Sequence, residues 1–161
     1  MYGRQALPLA TRGGSPVRKL RPPGSVRGAR SDSCPYRDKR KYRVRPSEVN
    51  PYSPANHTGT RNYRLIGAET VGARQLEVLV GEIERGKGAL PHAHSGLEQV
   101  CYLLEGEAHV EVAGEKFEMK PGEACFFPPG ATHVFIVTSE RAKVLVIYAP
   151  PYEEHPARRV T

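Results

Sequence analysis

Cysteine is scarce in this 161-residue chain: Cys34, Cys101 and Cys125 are its only three. An odd number without a CxxC pair leaves no even disulfide framework, which argues against a disulfide scaffold and for a reducing compartment. Long apolar runs are missing too. Nothing approaches the roughly 20 residues needed to cross a bilayer, so no membrane span is expected. No apolar stretch of signal-peptide length lies near Met1, so a secretory signal is not expected and a cytoplasmic location is. A sustained 3.6-residue apolar period is also lacking, and little helix is expected.

Positive charge is plentiful, with 24 Lys and Arg against 17 Asp and Glu. A net charge of +7 suggests an acidic partner such as nucleic acid. Its distribution removes most of that suggestion. Residues 1–45 hold 13 of the basic residues against Asp32 and Asp38, a balance of +11; the remaining 11 bases face 15 acids in residues 46–161, a balance of −4. The segment expected to fold is mildly acidic, and the basic character belongs to the N-terminal part.

Residues 1–45 are rich in Arg, Pro, Gly and Ser, as in Arg21-Pro22-Pro23-Gly24-Ser25, and read as a disordered basic tail. Four roles stay open for it: a passive tail, a nucleic-acid-binding arm, a transit peptide, or an arm ordered against a partner subunit. Residues 46–75 read as an arm with the first strands, 76–150 as the core of a barrel, and 151–161 as a C-terminal tail. From about Arg61 the texture is one of short strands: Leu76–Ile83, Val100–Leu104, Ala108–Val112, Cys125–Phe127, Val134–Val137 and Val144–Tyr148. Gly86-Lys87-Gly88, Glu105-Gly106, Ala113-Gly114, Pro121-Gly122 and Pro128-Pro129-Gly130 read as the turns between them. Such spacing predicts an all-β antiparallel sandwich or barrel. Leu76–Ile83 and Val144–Tyr148 are apolar on both faces, which predicts a cover on the outside of the wall, most simply a second copy in a homodimer.

His92 and His94 flank Ala93. On a strand, residues i and i+2 share a face, so the two imidazoles can reach one point. His133 follows the turn Pro128-Pro129-Gly130, where a new strand begins. Three neutral imidazoles suit Zn, Fe, Ni or Cu, and with oxygen donors Mn as well. His109 alternates with Ala108, Val110 and Val112 and is expected to face solvent. His57 reads as a loop histidine before the barrel, or as a cap on a partner's cavity. His155 lies in a polar stretch. Cys101 and Cys125 read as small core residues, and Tyr102 and Tyr148 as packing residues.

The residues around these histidines resemble the cupin superfamily. Gly86, five residues, His92-x-His94, a nearby acid or amide and Gly106 are similar to its first motif. Gly122, five residues, Pro128-x-Gly130-x-x-His133 are similar to its second. The resemblance extends over roughly residues 60–150 and implies a small conical β-barrel, jelly-roll-like, holding one divalent transition-metal ion through His92, His94, His133 and a first-motif acid or amide. Val137 stands where the second motif often ends in Asn. The expected glutamate is out of register: six residues before Gly106 stands Gln99, with Glu98 one residue earlier. Adjacent strand residues face opposite ways, and no glycine in 99–105 eases a bulge. Gln99 is therefore the expected fourth ligand and Glu98 the alternative.

A metal held by such a set keeps positions open, as working sites do. Phe126, Phe135 and Leu103 are expected to line a cavity for a small-molecule ligand or substrate with chelating oxygens. The family includes dioxygenases, isomerases and proteins without known catalysis, so the resemblance does not fix the reaction. Three expectations follow: a metal-dependent enzyme acting on an enol, diketone or sugar-derived acid, a non-catalytic binding or sensor protein, or a structural protein whose metal site serves stability alone.

Overall fold

The computed structural model describes residues 42–153. After a single 3₁₀ turn at Pro46–Glu48 come eight strands: β1 His57–Ile66, β2 Glu77–His92, β3 Glu98–Glu105, β4 Ala108–Val112, β5 Glu115–Met119, β6 Ala124–Phe127, β7 His133–Val137 and β8 Arg141–Ala149. Every pairing is antiparallel, in the order β5-β4-β7-β2-β8-β3-β6 with β1 on β2, and the strands form a near-closed barrel. Among the described residues no helix is long and apolar enough to cross a membrane. The expectation of a disordered tail falls almost wholly on residues 1–41, outside those described.

Alternation builds the wall. In β8, Ala142, Val144, Val146 and Tyr148 are buried, while the residues between them point outward. Facing strands add Leu79, Leu103, Val110, Met119, Phe127 and Val137, all almost fully buried, to one core. Each such side chain stabilises the fold by roughly 1.5–3 kcal/mol relative to exposure.

β2 organises the site because it has three partners. Its first half, Glu77 to Glu84, pairs with β8 from Tyr148 to Arg141. Its second half pairs with β7 through Gly88↔Ile136, Ala89↔Phe135 and His92↔His133. Gly86-Lys87-Gly88, expected as a turn, is instead an irregularity within this one strand. The register on β1 jumps from Thr58↔Gly88 to Thr60↔Ile83. Gly86 and Gly88 have φ of 67° and 137°, so the two glycines re-aim the strand rather than reverse it. At Gly88 there is a second reason for glycine: a Cβ would overlap the carbonyl oxygen of Phe135 on β7.

Two strand assignments differ from the sequence expectation. β5, Glu115–Met119, was not expected, because three of its five side chains are charged. β1 begins four residues earlier than Arg61, at His57, and that extension matters for the site.

Candidate metal centre

β2 ends at His92, and β7 begins at His133, directly opposite in the ladder. His94 is not on the strand, as the His-x-His spacing suggested, but in the turn beyond it. The turn is pinned there by the Gly130 amide, which donates to the His94 carbonyl at 2.8 Å. Two segments far apart in sequence thus deliver three imidazoles whose ligating nitrogens lie within 4.8 Å of one another.

Local backbone fixes the orientation of two of these rings. His92 Nδ1 lies 2.7 Å from the Leu90 carbonyl oxygen and His133 Nδ1 lies 3.0 Å from that of Ala131. A carbonyl only accepts, so both Nδ1 atoms carry hydrogen and both Nε2 atoms carry lone pairs. His92 Nε2 lies 3.1 Å from His94 Nε2. His94 Nδ1 and His133 Nε2 are buried without a hydrogen-bond partner, as is Gln99 Oε1.

Two of the rings, those of His94 and His133, are held neutral. Burial, and then the neighbouring His92, His133 and His57, push the His94 pKa down to about 3. Burial also pushes His133 down to about 4, against a smaller upward effect from the Ala131 carbonyl. Neutral imidazole is the form that ligates.

Gln99 and Glu98 are separated by the pleat. Gln99 is buried, lines the cavity beside His133, and donates from Nε2 to Cys101 Sγ at 3.5 Å. Glu98 is exposed on the outer face. Cys101 and Cys125 are buried free thiols paired across β3 and β6. His109 faces outward and pairs with Glu118 at 2.7 Å.

The cavity inside the barrel is small, about 40 Å³, and its lining includes His57, Thr60, Asn62, Gln99, Phe127 and Tyr148. No Asp, Glu, Lys or Arg is among its lining residues. Phe135 lines it as expected, but Phe126 does not: it is 50% exposed, and Phe127 takes the inner place. The register explains this, since Phe127 pairs with inward Gln99 and Phe126 with outward Val100.

Three residues of the site were not legible from the motifs. Asn62 enters from β1 and is buried over Gly81, where a Cβ would come within 2.9 Å of its Oδ1. Tyr152 packs on His94, ring centroids 4.5 Å apart, and on Tyr148 at 5.3 Å. Its position is fixed by Glu77, a carboxylate only 1% exposed, which pairs with Arg64 and accepts the Glu153 amide at 2.8 Å. His57, expected as a loop histidine, is the first residue of β1 and sits edge-on to His92, centroids 5.8 Å apart.

Residues 79–148 match the Cupin domain family. Solved cupins share the fold: a structure titled as KdgF from Halomonas covers 68% of this chain and 94% of its own, at 21% identity and a TM-score of 0.60. Residues 79–148 form a cupin domain, and the barrel has the cupin fold. This cupin is 27% identical to the polyketide cyclase RemF from Streptomyces resistomycificus, with a TM-score of 0.60 over 75% of this chain and 86% of that one. An uncharacterised protein of Aquifex aeolicus is 34% identical over 71 residues, 44% of this chain. That match spans 59% of the Aquifex protein.

Proposed function

We propose that this cupin holds one divalent transition-metal ion per chain through His92, His94 and His133, with the Gln99 amide as fourth donor. On this reading it is an enzyme for a small oxygenated chelating molecule, an enol, diketone or sugar-derived acid, and works as a homodimer. The observation that carries the reading is the convergence of three imidazoles on one point, with His94 Nδ1 and His133 Nε2 buried and without a hydrogen-bond partner. His92 Nε2 and His94 Nε2 lie 3.1 Å apart, a spacing that a shared proton or a shared cation accommodates.

Bound there, the ion supplies Lewis acidity, or oxygen chemistry if it is redox-active. The protein's own contribution is orientation and exclusion. The Leu90 and Ala131 carbonyls hold two rings in the ligating tautomer. Phe127, Tyr148 and Tyr152 close around His94 and His133 and keep bulk water away. A donor set without a carboxylate leaves the ion its full charge, which favours anionic chelators. The likeness to a polyketide cyclase agrees with an enolisable carbonyl compound.

One observation favours a second reading. No carboxylate or lysine lines the cavity to move a proton, which suits a non-catalytic binding or sensor cupin. Metal content and turnover test both readings. Elemental analysis after reconstitution with Zn, Fe, Mn, Ni and Cu in turn should give close to one ion per chain, lost in the His92→Ala/His133→Ala double variant. A protein that stays metal-free throughout sinks both. A loaded protein that binds β-diketones or hydroxy acids without converting them, in air or without oxygen, favours the second.

A further inference from the structure

His57 stands outside the three-histidine group, yet it lines the cavity that His133 and Gln99 line. Its place is built by the backbone. Asn56 adopts φ 59°, a left-handed conformation that Asn tolerates better than most residues, and its carbonyl accepts the Leu90 amide at 3.3 Å. The turn before β1 is thereby fastened to the end of β2, where His92 lies. His57 Nδ1 is 2.9 Å from the Ala55 carbonyl oxygen, so it carries the hydrogen, and Nε2 is an acceptor.

The cavity's chemistry says what such an acceptor meets. Among the described residues no charged side chain lines this cavity, so a ligand's negative charge is balanced at the metal. Of the small chelators, an α-hydroxy acid brings a charged carboxylate oxygen and a hydroxyl that keeps its proton, and that hydroxyl needs an acceptor. Gln99 is assigned to the ion, and His57 offers a ring nitrogen whose partner Nδ1 is already satisfied by the Ala55 carbonyl. The volume of about 40 Å³ is that of a few waters, so only a very small ligand, or the small end of a larger one, fits inside.

Resting on the metal reading above, we propose that His57 is a ligand-positioning residue: its Nε2 accepts a hydrogen bond from the hydroxyl of an α-hydroxy acid or α-hydroxy ketone chelated at the His92–His94–His133 centre.

The test uses the full-length zinc-loaded protein and two probes of similar size and bite. Glycolate chelates through a carboxylate and a hydroxyl; oxalate has no hydroxyl proton. Calorimetric titration of His57→Ala should show glycolate binding weakened about 10-fold and oxalate binding by less than about 3-fold, the loss expected for one hydrogen bond. His57→Gln, whose amide oxygen also accepts, should recover most of the glycolate affinity. Zinc affinity and melting temperature should stay at the wild-type values in both variants. Equal weakening of both probes, no weakening of either, or loss of zinc from His57→Ala overturns the proposal, as does a zinc-loaded wild type that binds neither probe. Failure of the metal reading is distinct: the wild type then takes up no zinc at all.

Discussion

At the scale of single residues, the contest between Glu98 and Gln99 shows how far a pleat can decide chemistry. A carboxylate is the more usual donor, but the strand turns Glu98 to solvent and Gln99 inward. On the proposed reading, Gln99→Ala should weaken metal binding about 10-fold or more, and Glu98→Ala should leave it nearly unchanged; competition with a chromophoric chelator measures both. The histidines make a second prediction, for metal-free protein. His94 and His133 titrate near 3 and 4 when folded and near 6.5 when unfolded, so the unfolded chain binds more protons across that interval. Stability is then fully present above about pH 6.5 and is lost as pH falls toward 4 and 3. The melting temperature should drop through that window, and His133→Gln should flatten the decline. An unchanged slope would show that His133 is protonated as readily in the folded state.

The same scale shows what sequence could and could not reveal. The order of the two motifs was enough to bring His92, His94 and His133 together. Adjacent Phe126 and Phe127 had to face opposite ways, but which one faced inward depended on pairing with β3. His57, Asn62 and Tyr152 reach the site from outside the motifs, through contacts that leave no periodicity behind.

At the scale of elements, β2 and β7 are set at their distance by Gly88. Both its φ and the Phe135 carbonyl exclude a side chain, whereas Gly86 has the φ constraint alone, with open space around it. Gly86→Ala should therefore cost about 1–2 kcal/mol, and Gly88→Ala substantially more. Denaturant unfolding separates the two; equal costs would mean that β7 yields easily. Because His92 and His133 face each other on this seam, Gly88→Ala should also reduce metal content. Sequence reading took these glycines for a turn because glycine marks reversals and bulges alike, and the difference lies in what the chain pairs with on each side. β5 was missed for a related reason: the partner that gives it a buried edge, β4, cannot be seen in its own five residues.

At the scale of the molecule, the outer face of the wall carries Val78, Ile147, Val100 and Phe126 in one row across four strands, with Leu145 and Tyr102 beside it. A contiguous apolar row, half-buried at Val78, Val100, Leu145 and Ile147 and exposed at Phe126 and Tyr102, marks an association site. A homodimer is expected by light scattering at micromolar concentration, and Phe126→Glu with Tyr102→Glu should yield a monomer of unchanged metal content. A wild-type monomer would count against it. The barrel itself was legible because its strands are short, alternating and punctuated; the outward apolar row was legible as a strand with two apolar faces.

The division of the site between β2 and β7 also fixes an order of events in time. His92 and His133 become neighbours only after the chain has closed a long loop, and antiparallel barrels built from such distant pairings fold slowly. An unfolded chain offers the ion no more than an isolated His-x-His pair. Zinc should thus arrive after the rate-limiting step: refolding rates should not change with zinc concentration, while unfolding should slow as zinc is added, so that the metal acts as a latch on a finished barrel and not as its nucleus.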